Sequence, residues 1–447
     1  NKKLKWRRIS EPFERLVYPD LTFNVFGNEN TFKKDLIKQF PDDKKALRKY
    51  FKDVKTVSRW FTLYYLTRFV PPFLRIPLQI MSTISQKKSL QTTSSYLNRY
   101  ISNPKLRAIL TSQWGNYGLP PSKSAFVMHA IVVNHFITGG YYPKGGPEEI
   151  AKSIMPNIEK HGGRCLVNHN VNKIIIKNGK AIGVRVENET KSNTKISDYY
   201  APVIVSNAGA FNTYTKLIPE NIHIPFREKI AGMDSISQCV ALYVGLKDNI
   251  KTLGIKASNH WIYSTYNHDK NYLNKNILEG KPSSCYLSTM TNRDENRPVN
   301  TAIIIAYVNF DEFKQWQHQK SGKRDKEYYL LKKKISNGLI NFVNKRYPGF
   351  NKLIDYAELA TPLTSEHFTA HPEGAMYGFP ATPERYKHNW IKVSTPIEGL
   401  YMTGADVSGL GVVCSMLGGF ATACFLNGSF GLFKLMAKVR RYNRTAA

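Results

Sequence analysis

From Asp42 to about Val70 the apolar positions Leu47, Tyr50, Phe51, Val54, Val57, Trp60, Phe61, Tyr64 and Tyr65 return at steps of three and four, with lysines between them. That period predicts an amphipathic helix. The apolar run continues from Trp60 to Met81, but Arg68, Arg75 and prolines at 71, 72 and 77 interrupt it. A membrane-spanning helix needs about 20 uninterrupted apolar residues. The segment is therefore expected to lie in or on a membrane or to line a greasy entrance, or else to be a core helix followed by a proline-stiffened loop.

Further along, Ile150, Ile154 and Ile158 mark a second amphipathic helix, closed by Gly162 and Gly163. Two β-rich runs then flank Asn178-Gly179, a strong hairpin signal, and "APVIVSNAGA" (Ala201–Ala210) reads as a short buried strand. "SQCVALYVGL" (Ser237–Leu246) and "TAIIIAYVNF" (Thr301–Phe310) alternate as strands of an antiparallel sheet, and Lys326–Tyr347 has helical periodicity. Helix, hairpin and buried strand in this order suit an α/β nucleotide-binding domain that the chain visits more than once.

Composition narrows the partners. The chain has 447 residues, enough for two joined domains, and Lys+Arg exceed Asp+Glu by 64 to 33, a formal charge of +31. Such an excess fits nucleic acid, an anionic membrane face, or a genome that inflates lysine and asparagine. No nucleic-acid motif and no basic face interleaved with aromatics accompanies it, so no nucleic-acid partner is expected. Five scattered cysteines without a CxxC argue against a disulfide framework or a metal site and suit a reducing compartment. "NKKLKWRRISEPFERL" carries no signal-peptide core.

The chemistry points to "YMTGADVSGLGVVCSMLGGFATA" (Tyr401–Ala423). A strand ending at Gly404 lets backbone approach a flat or phosphorylated ligand, and Asp406 can accept hydrogen bonds from ribose or ribityl hydroxyls. A helix starting near Gly411 turns its positive end toward an electron-rich ring. Close packing of a glycine-rich helix is the other reading of the same spacing.

This stretch is similar to the C-terminal flavin-binding motif of FAD-dependent amine-oxidase-like and carotenoid-desaturase-like enzymes. With "YGLPPSKSAFVMHAIVVNHFITGGYYPKGGPEEIA", "APVIVSNAGAFNTYTKLIP" and "TPLTSEHFTAHPEGAMYG", the chain resembles the all-trans-retinol 13,14-reductase (retinol saturase) family over almost its whole length. The resemblance implies an FAD/NAD(P)-binding Rossmann-like domain interleaved with a substrate domain of antiparallel sheet and helices, α/β in class and α+β overall. The division expected is 1–138 and 211–394 for the substrate- and membrane-facing domain, 139–210 and 395–431 for the FAD domain, and 432–447 as a basic tail.

Carried onto this chain, the resemblance puts Gly404 and Asp406 at the ribityl and pyrophosphate portion of FAD, Gly411 and Val412 near the pyrimidine edge, Val171 at the adenine, and Ser206 and Asn207 beside the cofactor. Phe136 and Tyr142 would line an apolar pocket. The expected reaction is saturation of a carbon–carbon double bond in a retinoid or carotenoid-like polyene, with NAD(P)H as a possible electron donor. The proton would come from Glu366, His367, Tyr377 or water, although His367 also reads as a hydrogen-bonded structural histidine. The alternatives are a carotenoid isomerase, a phytoene-desaturase-like enzyme, or an inactive fragment. The enzyme is expected at a membrane surface on the reducing side: the endoplasmic reticulum in a eukaryote, the cytoplasmic membrane in a bacterium.

One departure stands out. The family opens with a strand, a GxGxxG turn and a helix that grips the pyrophosphate, and residues 1–60 hold no such turn. Leu4–Asp20 instead resemble the sequence that follows that unit, so roughly 80 to 100 residues of βαβ structure are expected to be absent from this chain.

Overall fold

The alternation at 237–246 becomes the strand Gln238–Leu246, which turns Val240, Leu242, Val244 and Leu246 into the core and Tyr243 outward. The computed structural model describes residues 4–445 apart from 69, 71, 190–193, 234–236, 256–257, 273 and 290–299. In it this strand is second in a seven-stranded sheet ordered Ile354–Ala360, Gln238–Leu246, Thr301–Val308, Ser284–Thr289, Asn259–Tyr263, Glu14–Val17 and Thr22–Val25. Every pairing is antiparallel except that of Asn259–Tyr263 with Glu14–Val17. Helix Lys326–Arg346 covers one face through Ile335, Leu339 and Val343.

The first amphipathic helix spans Lys44–Leu66 and buries Leu47, Tyr50, Phe51, Val54, Val57 and Trp60, the stripe its period dictates. Asp53 on the same helix is buried, and its carboxylate accepts from Lys49 at 2.6 Å, Lys88 at 2.7 Å and the Tyr96 hydroxyl at 2.8 Å. Lys88 belongs to the next helix, Pro72–Ser89, which Trp60 also holds by donating from Nε1 to the Ser82 carbonyl at 2.7 Å. The second half of the apolar run is thus a helix rather than a stiffened loop. It displays Phe73, Ile76, Ile80 and Ile84, spaced three, four and four, to the outside.

The remaining strands form smaller sheets. Asn170–Lys177, Lys180–Glu189 and Thr194–Tyr200 make an antiparallel meander, whose first turn places Asn178 at φ 50° and Gly179 at φ 75°, as the tight hairpin requires. Ile204–Ser206 and Leu400–Met402 pair in parallel, and helix Gly411–Leu426 packs on them. A Cβ on Gly418 would sit 2.4 Å from the Gly404 carbonyl oxygen, so helix and strand end meet backbone to backbone.

Two segments differ from expectation in form. Glu148–Lys160 is the anticipated helix, yet none of its residues is buried, and Ile154, Met155 and Ile158 are exposed. The basic tail continues as a helix, Gly431–Thr445, because Leu432, Leu435, Met436 and Val439 recur at helical spacing among its lysines and arginines. Among the described residues no single helix is long and apolar enough to cross a membrane.

Candidate functional site

The two parallel strands end side by side, with Ser206 in register with Met402 and the Thr403 N–H donating to the Ser206 carbonyl at 3.0 Å. The chain then turns at Gly404, φ 83°, where a Cβ would collide with the Asn207 side chain. Two residues on, the buried carboxylate of Asp406 accepts from the backbone N–H of Ala210 at 2.7 Å and of Phe379 at 2.8 Å. Gly378 and Gly209 leave room for it: Cβ atoms there would lie 1.8 Å and 3.3 Å from its oxygens. Asp406 therefore ties together the segment after the strand Ile204–Ser206, the 378–379 segment, and its own loop. Arg385, also buried, grips the outer side of this junction through the Phe379 carbonyl and, at 2.9 Å, the Ala405 carbonyl.

Next to this junction lies a cavity of about 570 Å³, lined by the segments that follow the parallel strands and by residues around Asn309, Gln317, Glu366 and Tyr377. Asp406, Glu366 and Tyr377, three of the residues singled out in the sequence, line it together. Glu366 stands on helix Pro362–Thr369, and its carboxylate accepts from Gln317 Nε2 at 3.2 and 3.3 Å and from the Glu373 N–H at 3.2 Å. Burial holds the Tyr377 phenol well above its usual pKa, so it keeps its proton. His367 points elsewhere: it is exposed, edge-on to Phe368, and does not line the cavity.

The other singled-out residues fall around rather than within the cavity. Ser206 is buried with its hydroxyl 2.7 Å from that of Thr213, Asn207 lies against Gly404, and Val171 is partly exposed on the meander opposite Val186. Phe136 stacks on Phe13 in the helical core, and Tyr142 pairs with Arg7 in a short two-stranded ribbon. Neither Phe136 nor Tyr142 lines this cavity; Phe136 instead lines a small, separate apolar pocket with Phe13, Phe32 and Val133. Asn212, Lys216, His371 and Glu373 do, although none was singled out in the sequence. Asn212 and Lys216 lie in the resemblance segment that holds Ser206, and His371 four residues beyond His367.

The start of helix Gly411–Leu426 is open. Gly411 has φ 86° with nothing within 4 Å of a Cβ, no side chain caps the helix, and Val412 and Val413 beside it are exposed. Its first backbone N–H groups and the helix dipole are available to an electron-rich ring. Of the residues expected to hold a flavin dinucleotide, Gly411 and Val412 are the exposed members, whereas Gly404 is buried between Asn207 and Gly418 and the Asp406 carboxylate is taken up by backbone N–H groups.

No family model matches the chain. Over 448 residues it is 30% identical to an all-trans-retinol 13,14-reductase of Danio rerio, with 95% of this chain and 72% of the relative covered. It is 23% identical to a chloroplastic prolycopene isomerase of an Oncidium hybrid cultivar, over 96% of this chain and 72% of that one. Among solved structures, an oxidoreductase from Methanosarcina mazei superimposes with a TM-score of 0.56 at 14% identity, covering 93% of this chain and 81% of the other, which shows a shared fold.

Proposed function

The chain belongs to the all-trans-retinol 13,14-reductase family, and from that premise we propose that it is an FAD-dependent oxidoreductase adding two hydrogens across one carbon–carbon double bond of an apolar polyene alcohol. The observation that carries this reading is the meeting of Asp406, Glu366 and Tyr377 at one cavity beside the ends of the parallel strands. FAD held beside the strand ends, next to this cavity, would supply the hydride that no side chain can. Gly404, Asp406, Gly411 and Val412, flanked by Ser206 and Asn207, are the residues that would hold it.

The chain's own groups manage the proton. Gln317 and the Glu373 N–H fix the Glu366 carboxyl at the cavity wall, where it can carry a proton to the second carbon. Tyr377, which stays protonated, serves as a hydrogen-bond donor rather than a base. A reduced nicotinamide nucleotide is the electron donor in this reading.

We infer also that a strand–turn–helix unit with a glycine-rich turn completes the nucleotide-binding sheet. The exposed apolar residues Val205, Val412, Val413, Met416, Ile154 and Ile158 support this. Membrane association through helix Pro72–Ser89 belongs to the same reading, since a polyene is collected from a bilayer more readily than from water.

Mass spectrometry of the product tests the reaction: a gain of two mass units supports saturation, and a loss of two overturns it in favour of desaturation. An unchanged mass supports isomerisation, the second reading, which the Oncidium prolycopene isomerase relative favours.

A further inference from the structure

We propose that a row of neighbouring aromatic rings drains oxidising radicals from the cavity to the surface and ends at Tyr266; the inference takes the polyene of the proposed function as the source of the radical. Tyr377 lines the cavity, and its hydroxyl and that of Tyr307 donate to one acceptor, the Gly115 carbonyl, at 3.5 and 2.9 Å. The Tyr307 ring centre lies 4.4 Å from that of Trp114, which lies 6.4 Å from His268, itself edge-on to Tyr263 at 4.5 Å. Tyr263 stacks on Tyr18 at 5.3 Å and Tyr18 on Tyr266 at 4.4 Å. Such contacts pack any core, but they also leave gaps short enough for an electron to step between the oxidisable rings of tyrosine and tryptophan. Tyr266 lines a second cavity of about 460 Å³ and is partly exposed, so solutes reach it.

The proton decides where the missing electron settles, because an oxidised phenol sheds one. Tyr377, Tyr307 and Tyr263 donate to backbone carbonyls, and Tyr18 lies against the Ser112 hydroxyl at 2.7 Å. The other neighbour of Tyr18, His268 Nε2, donates to the Ala108 carbonyl at 2.9 Å and is not an acceptor for the phenol. Within the row Tyr266 alone donates to a carboxylate, that of Asp20 at 2.6 Å, which takes a proton that neutral oxygens do not hold. Lys105, paired with Asp20 and 5.2 Å over the Tyr266 ring, disfavours a cation there and ties loss of the electron to loss of the proton. Two branches end less well. Tyr272 beside Trp114 has Lys123 over its ring at 5.5 Å, and Trp261, packed against Gly115 with Nε1 donating to Glu14 at 2.6 Å, is buried. A polyene peroxyl radical in the cavity thus takes the phenolic hydrogen atom of Tyr377 and becomes a hydroperoxide. One electron from Tyr266, passed along the row, and one proton from water restore Tyr377. The Tyr266 proton passes to Asp20 and on to water, and a soluble thiol returns a hydrogen atom to Tyr266, leaving a thiyl radical.

A ruthenium polypyridyl photo-oxidant tethered at Lys216→Cys on the cavity lining, with the exposed Cys165 changed to serine, removes one electron there by flash and quench. A nitroso spin trap followed by peptide mass mapping finds where the radical comes to rest. The adduct should fall on Tyr266 in preference to Tyr243 and Tyr356, although these are 53% and 61% exposed. Trp114→Phe, which keeps a ring but one far harder to oxidise, should lose the Tyr266 adduct, and Tyr307→Phe interrupts the same row should the Trp114 variant not fold. Asp20→Asn should diminish it. The same photo-oxidant on the native Cys165, outside the cavity, should leave Tyr266 unlabelled. Adducts ranked by exposure, an adduct on Tyr272 or Trp261 instead, or an undiminished Tyr266 adduct in the Trp114 and Tyr307 variants overturns the proposal. The photo-oxidant replaces the polyene radical, so failure here leaves the proposed function standing, and failure of the product test leaves the row standing.

Discussion

Asp406 and Arg385 grip the same residue by its two ends: the carboxylate takes the N–H of Phe379 at 2.8 Å, and the guanidinium donates to its carbonyl. Both side chains are buried, and each also holds a second backbone group, Ala210 N–H for the acid and Ala405 carbonyl for the base. Asp406→Ala strands two backbone donors and should cost about 2 to 4 kcal/mol of stability in urea unfolding. Combined with Arg385→Met, the loss should be smaller than the sum of the single losses, because both act on one junction. Strict additivity would show that they work independently.

Two neighbouring glycines should respond in opposite directions. Gly418→Ala drives a Cβ to 2.4 Å from the Gly404 carbonyl oxygen and should destabilise by about 1 to 3 kcal/mol. Gly419→Ala meets nothing within 4 Å and should stabilise the same helix by up to about 1 kcal/mol. Thermal unfolding of the pair is the measurement, and a loss at both positions would contradict the packing described.

Acid should weaken the fold before the carboxylates titrate. Burial lowers the pKa of His129, bonded to the Tyr50 and Tyr117 hydroxyls, to about 3, and that of His268 to about 4. In the unfolded chain both return to about 6.5. Their folded pKa values are depressed, so their contribution is complete above about pH 6.5 and drains away as pH falls toward 4. Urea midpoints should drop across that window, and His129→Gln should flatten part of the slope.

Glu366 and His367 are adjacent, but only Glu366 lines the cavity. In the flavin-loaded enzyme Glu366→Gln should lower turnover by about 10²- to 10⁴-fold with flavin retention unchanged. His367→Ala should leave both within about twofold, as a surface substitution does. A large loss from the histidine alone would reverse the assignment.

Helix Pro72–Ser89 should carry membrane binding. Ile76→Glu with Ile80→Glu places two charges on its outer stripe, and flotation with anionic liposomes at low salt should be lost while the unfolding midpoint stays put. Unimpaired flotation would move the contact elsewhere.

Local patterns carried much of this structure and long-range pairing little. The helix Lys44–Leu66 and the hairpin at Asn178-Gly179 were legible because period and turn chemistry are properties of consecutive residues. The parallel pairing of Glu14–Val17 with Asn259–Tyr263 was not, since a four-residue strand carries no mark of a partner some 245 positions away. Asp406 was legible as an acid among glycines, whereas its partners are main-chain N–H groups, which every sequence offers everywhere. Asn212 escaped notice because its place on the cavity wall depends on two carbonyls that hold its amide nitrogen, a relation that exists only in three dimensions. The tail read as basic because charge dominates its composition, while the apolar spacing that shapes its helix is sparse.

The uncovered stripe Ile154, Met155 and Ile158, together with Val412, Val413 and Met416, governs how the chain behaves as a colloid. Such faces attract one another, and the +31 charge holds the molecules apart. That barrier reaches only as far as salt allows, about 10 Å at 0.1 M and about 3 Å at 1 M. Salt should therefore promote clustering of the protein with itself while it loosens the protein from anionic vesicles, two opposite responses to one ion atmosphere.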